Sequence, residues 1–222
     1  MIAMMIAVLA GAGATCDPLA PEPQSFHSRG FGVVAEVFPP GSRHNAGERP
    51  RIYTYEVGYP GPRWDVDARR VWSATLQHGH FPHDAVVSME GHVVTLDDYF
   101  QVGGENAVVL LDRLGRELRA YGLSDLLTEA EIADLEWSDC GILWRTGAGY
   151  YFLLGASPRF YVVLGGGPVL EFDLVSGALR RGANEAFPEL AEILAKPWPN
   201  EEAEVWRTSL RFSSLTDLVG GG

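Results

Sequence analysis

The chain has 222 residues, 46% hydrophobic and 21% charged, which supplies apolar material for one sizeable core. Its formal charge is −12, Lys196 is its one lysine, and its arginines are scattered rather than clustered on one face. That balance excludes the electrostatic footprint of a nucleic-acid binder.

The chain opens with "MIAMMIAVLAGAGATCDPLAPEPQ", an apolar run followed by the small residues Ala12 to Ala14 and then a proline-rich polar stretch. This order predicts a secretory signal peptide over 1–14, a tether over 15–25 and a single β-rich domain over 26–222. The run is too short to span a bilayer permanently. It departs from the secretory pattern in having no Lys or Arg before it, which leaves a buried N-terminal element as the alternative. The expected location is the periplasm, the cell envelope or the outside of the cell. Cys16 directly follows the run and is a candidate lipidation site, the one route to a membrane, although Gly13, Ala14 and Thr15 match a lipobox poorly. Without lipid, Cys16 and Cys140 are free to form a disulfide in an oxidising compartment; the alternative for Cys140, in "WSDCGILW", is burial as an inert thiol.

Short runs rich in β-branched and aromatic residues then predict strands at 31–38, 51–58 and 69–77, with an aromatic loop carrying Tyr59 and Trp64 between the second and third. The stretch "LQHGHFPHD" follows, with His78, His80 and His83. Two imidazoles at i and i+2 share one side of a strand, a third comes from the next turn, and His92 would add a fourth ligand across a hairpin. The metallo-β-lactamase pattern would need Asp where Pro82 stands, and the cupin pattern would need a Glu much closer to His80 than Glu90. The histidines are therefore either a weak zinc or other transition-metal site or a polar connection in which neutral imidazoles hydrogen-bond. No cofactor is otherwise expected.

Strands are next expected at 85–90, 92–98, 107–112 and 117–123. Asp97-Asp98 ends the second of these, where acidic side chains accept turn hydrogen bonds or, alternatively, bind a cation. A helix is expected over about 123–135, with Thr128 and Glu131 spaced as a capping box, followed by strands at 142–146, 150–155, 160–166, 168–174 and 178–182. A second helix over about 186–195 places Phe187, Leu190, Ile193 and Leu194 on one face and stops before Pro197. Most aromatic residues, Trp72, Trp144 and Tyr161 among them, fall inside strand patterns and read as core.

Two segments correspond internally: "VLLDRLGREL" (109–118) and "LEFDLVSGAL" (170–179), with Asp112 matching Asp173 and Leu118 matching Leu179. In each, Asp accepts from the turn's amides and Gly supplies the positive φ of the return. With the Ser88-Met89-Glu90-Gly91 turn, 85–123 resembles a four-stranded β-propeller blade, and 150–182 resembles another. The "VVTLDD…VVLLDRLGREL" arrangement is also similar to that of uncharacterised exported bacterial proteins, a resemblance that implies no activity. The expected fold is mainly β: propeller-like antiparallel four-stranded blades, or stacked sheets, with two short helices.

No G-x-S-x-G elbow, C-x-x-C pair or P-loop occurs, and no catalytic residue is assigned. The expected function is that of an exported, non-enzymatic binding module of the envelope with a protein partner. The alternative is a metal-binding protein or metal-dependent hydrolase centred on His78, His80 and His83. Expression with export intact should give a mature mass lacking residues 1–14 or 1–15, and a full-length mass in the envelope fraction would overturn the signal-peptide assignment.

Overall fold

The structure is a computed structural model that describes residues 22–28, 32–57, 68–78, 81–99, 101–138, 141–146, 148–165, 167–195 and 203–207. The expected signal peptide, Cys16, Cys140, His80, Tyr59 and Trp64 lie outside these residues.

The fold is mainly β. A first sheet is an antiparallel meander of β1 (Gln24–His27), β2 (Val33–Phe38), β3 (Arg51–Val57) and β4 (Ala68–Thr75). Gln24 and Ser25, at the end of the expected tether, are therefore strand residues, paired with Val37 and Glu36. A second meander contains β5 (Pro82–Val87), β6 (Val93–Asp98), β7 (Val108–Leu111) and β8 (Glu117–Tyr121). Two short helices follow, α1 (Leu123–Leu126) and α2 (Glu129–Ala133), then a small hairpin of β9 (Trp137–Ser138) and β10 (Gly141–Ile142). The third sheet is the meander β11 (Gly149–Leu153), β12 (Arg159–Val163), β13 (Val169–Asp173) and β14 (Leu179–Gly182). After α3 (Pro188–Ala195), β15 (Ala203–Arg207) adds to the free edge of β11.

The two four-stranded units anticipated at 85–123 and 150–182 are the second and third sheets. Two expectations fail locally. The helix over 123–135 is divided, because Thr128 is extended at φ −74°, ψ 158° and restarts the helix with its own capping box: its hydroxyl accepts from the Glu131 amide, and the Glu131 carboxylate accepts from the Thr128 amide. The strand at 142–146 ends at Ile142, and Trp144 and Arg145 occupy a turn instead.

The sheets stack face to face. Val33, Ala35, Val37, Ile52 and Trp72 of the first sheet pack on Val87, Val93, Val109 and Leu111 of the second. The opposite face of the second sheet, Val86, Val94, Leu96, Val108 and Leu110, packs on Tyr150, Phe152, Phe160, Val162 and Phe172 of the third. The second sheet is thus covered on both faces, so every residue of β6 and β7 is buried and β7 reads as a continuous apolar run rather than the alternating pattern of a half-buried strand. Phe187 and Leu190 cover the far side of the third sheet at Tyr161 and Val169.

The corresponding turns form as their sequence suggests. Asp112 Oδ1 accepts from the Leu114 and Arg116 amides, and Asp173 Oδ1 accepts from the Val175 and Ser176 amides. Gly91, Gly115 and Gly177 have φ of 86°, 77° and 74°. Each of the two Asp turns also seats its glycine on the last strand of the preceding sheet: Gly115 on the Trp72 ring of β4, Gly177 on Leu118 and Arg119 of β8. Tyr121 of β8 reinforces the second seat by donating its hydroxyl to the Gly177 carbonyl.

A Cβ on Gly115 would lie 2.4 Å from Trp72 Cε3 at a φ of +77°. Gly115→Ala should therefore lower unfolding stability by about 2–4 kcal/mol, strain and overpacking combined, measured by urea titration. Gly91→Ala, which has positive φ but nothing within 4 Å, isolates the backbone contribution at about 1 kcal/mol. Equal losses in the two variants would show that the Trp72 contact carries no weight.

Candidate functional site

A dense group of polar side chains lies at one end of the second sheet, and β6 builds it. Odd residues of β6 face the first sheet (Val93, and Thr95 toward His78) and even ones face the third (Val94, Leu96). Asp97 breaks the alternation with a left-handed φ of 55°, the one positive φ at a non-glycine among the described residues. The inversion sends Asp97 toward the third sheet and Asp98 back toward the first.

Asp97 is fully buried and accepts three hydrogen bonds. Its Oδ1 takes the Gly103 amide at 2.8 Å and the Trp144 indole at 2.7 Å, and its Oδ2 takes Arg145 Nε at 2.6 Å. The remaining nitrogens of Arg145 reach Asp84 Oδ2 and the Tyr150 hydroxyl, both at 3.2 Å, and donate to His83 Nδ1 at 3.0 Å. Burial alone would lower the Arg145 pKa; the Tyr150 oxygen and the Asp97 and Asp84 carboxylates around the guanidinium outweigh it and raise it above the usual arginine range. Burial raises the Tyr150 pKa, so the phenol stays protonated.

Asp98 faces the other way. Its Oδ1 meets His78 Nδ1 at 2.9 Å, and its Oδ2 accepts from the Asn106 amide at 3.1 Å. A carboxylate opposite Nδ1 requires the proton there, so His78 donates to Asp98, and its Nε2 is hydrogen-bonded with Thr95 Oγ1 at 2.7 Å. His78 has no exposed surface and both ring nitrogens are engaged, so the imidazole offers no open position to a substrate or an ion. Together the two carboxylates tie the β4–β5 connection and the Trp144-Arg145 turn to the end of β6.

Of the four histidines considered as ligands, His78, His83 and His92 meet different partners. His83 is exposed beside Arg145 and stacks toward Tyr99. His92 precedes β6 at the opposite end from Asp98, its ring near Ser88 Oγ at 3.4 Å. Among the described residues no three His, Cys, Asp or Glu side chains converge as a metal cradle, and His80 lies outside them. Asp97-Asp98, weighed as a turn acceptor or cation site, accepts turn and side-chain hydrogen bonds on both carboxylates. Trp144 and Arg145 were missed as partners because "LWR" fits a strand pattern; the one local signal was a doubled Asp closing an otherwise apolar strand.

A cleft of about 330 Å³ opens at the other end of the second and third sheets, among their hairpin turns. Glu90, His92, Arg113, Leu114, Pro158 and Val175 line it. Burial lowers the His92 pKa, so its imidazole is a neutral wall of the cleft. Leu114 and Val175 are 62% and 65% exposed, and each stands two residues after the Asp of its turn.

Comparison of the chain with protein-family models, curated proteins and solved structures found no match.

Asp97→Asn keeps a side chain that tolerates positive φ but leaves Arg145 with a weaker partner in a buried setting. It should cost about 3–5 kcal/mol in urea unfolding. Trp144→Phe, which removes one hydrogen bond from the same carboxylate, should cost about 1–3 kcal/mol. An Asp97→Asn loss below that of Trp144→Phe would show that the ion pair does not hold the sheets.

Proposed function

We propose that the chain is an exported, non-enzymatic interaction module of the cell envelope, and that a protein partner docks on the rim of hairpin turns between the second and third sheets. The observation that carries this is the pair Leu114 and Val175: equivalent positions of two similar turns, both exposed, flanking one cleft. Large apolar side chains at neighbouring turn tips cost solubility unless a partner covers them. Arg113, on the same rim, has no carboxylate within salt-bridge distance among the described residues, whereas the neighbouring Arg116 is held by Asp112. The partner this rim fits therefore presents an apolar anchor with a carboxylate beside it.

The non-enzymatic part rests on how the polar side chains are used. His78, Asp97, Asp98 and Arg145 are engaged with one another and hold sheets together, so they are not poised toward solvent. Export rests on the apolar N-terminal run, and lipid on Cys16 would add a tether to the membrane.

A photocrosslinking residue placed at Leu114 or at Val175 should trap one and the same partner in cells exporting the protein, with the adduct reduced by Arg113→Glu. A crosslinker at exposed Glu105, in the β6–β7 connection at the opposite end of the sheet, should not trap it. Equal adducts at all three positions, or none at the rim, would overturn the docking assignment.

A further inference from the structure

The outer face of the first sheet bears a second set of features, independent of the turn rim. Ala35, Val37 and Ile52 point into the core, so their strand neighbours Glu36, Phe38, Arg51, Tyr53 and Tyr55 face away from it. Two guanidinium groups lie over one ring there: Arg51 is 5.6 Å and Arg70 5.8 Å from the Tyr53 centroid. Tyr53 is fixed in turn by an edge contact with Phe38 at 5.4 Å and by donating its hydroxyl to the His44 carbonyl at 3.2 Å.

The chain has 29 acidic against 17 basic residues. Arg69, Arg116, Arg145, Arg159, Arg180 and Arg181 each meet a carboxylate; Arg43, Arg49, Arg113 and Arg119 do not among the described residues, but they do not converge in pairs on one ring. Arg51 and Arg70 have none within 4.0 Å among the described residues, and the nearby Glu36 is taken up by a hydrogen bond from Tyr55. Both lie beside an aromatic ring rather than a carboxylate, so part of the ordering cost of binding an anion is already met.

We propose that this face binds an acidic glycan, a short run of uronate sugars whose carboxylates engage Arg51 and Arg70 while the sugar rings lie along Tyr53, Tyr55 and His44. A flat sheet face with aromatic side chains suits the apolar faces of sugar rings, whereas a peptide needs a groove or a free strand edge. Nucleic acid would need a denser row of cations than two arginines in a chain of charge −12. Uronate carboxylates match the planar fork of arginine, and a short oligosaccharide escapes most of the long-range repulsion because screening confines it to the contact itself.

Titration calorimetry with a short oligogalacturonate, its methyl-esterified form, a polyglutamate peptide and a single-stranded oligonucleotide tests this on the mature protein. Binding is expected for the oligogalacturonate alone, weakening as salt is raised. Arg51→Gln/Arg70→Gln, with its fold checked by circular dichroism, should bind at least about tenfold more weakly, and Arg51→Lys/Arg70→Lys should fall between. Equal affinity for the methyl ester, unchanged affinity in the Gln variant, tighter binding of the peptide or the oligonucleotide, or no binding of any probe would overturn the proposal. The salt dependence of the wild type reads the same contacts should the Gln variant fail to fold. None of these outcomes bears on crosslinking at Leu114 and Val175, so the two surfaces stand or fall separately.

Discussion

Asp97 is the residue on which the stack depends. A second sheet buried on both faces has no solvent side to which a polar group at its end can turn, so every charge there must be met from within. The left-handed backbone at Asp97 costs about 1–2 kcal/mol and exchanges the faces to which Asp97 and Asp98 point. One carboxylate thereby reaches Trp144 and Arg145 toward the third sheet, while the next reaches His78 on the connection from the first. With both residues extended, Asp97 would face the first sheet, and Arg145, whose side chain is only 13% exposed, would lose its closest counter-charge.

A second constraint acts at the opposite end of the sheets and is repeated. The turn after Asp112 lays Gly115 on Trp72, and the turn after Asp173 lays Gly177 on β8. In both cases a hairpin of one sheet rests on the last strand of the sheet before it, which sets the spacing between layers where no ion pair does. The two turns reach this contact by different routes, with glycine three residues after Asp112 and four after Asp173, so the seat is kept while the local turn differs. Each polar latch at one end is therefore matched by a backbone contact at the other, and a sheet held at both ends has little freedom to slide on its neighbour.

What the sequence revealed follows from how local each feature is. The Asp112 and Asp173 turns, the Thr128 capping box, β5 to β8 and β11 to β14 are dictated within ten residues or fewer, and they appear where expected, whereas β15, which completes the third sheet, was not anticipated. The polar network is not local: Asp97 and Arg145 are separated by 48 residues, and their meeting requires an inverted backbone that strict alternation does not anticipate. The histidines bear on the same point. Placing His78 and His80 on one face assumed that the strand continues through them, but β4 stops at Thr75 and the chain turns inward, burying His78 against Thr95 and Asp98. Pattern reading registers that a polar residue is unusual; whether burial has already provided its partner depends on another layer of the fold.

The same bookkeeping of charge indicates where recognition can occur. Inside the stack, carboxylates and cations are paired and hydrogen-bonded, and breaking those pairs to bind a ligand would cost more than a ligand contact returns. The two proposed contact surfaces lie at the margins, where among the described residues a layer has no neighbouring sheet. At the turn rim the unmet feature is apolar, Leu114 and Val175, because turn tips project beyond the sheets that would cover them. On the outer face of the first sheet it is cationic: among the described residues no other sheet packs there, and an aromatic ring rather than a carboxylate lies beside Arg51 and Arg70. A cation stacked on a ring is ordered but not neutralised, so the arrangement keeps its attraction for an anion from solution, which an internal salt bridge would have cancelled.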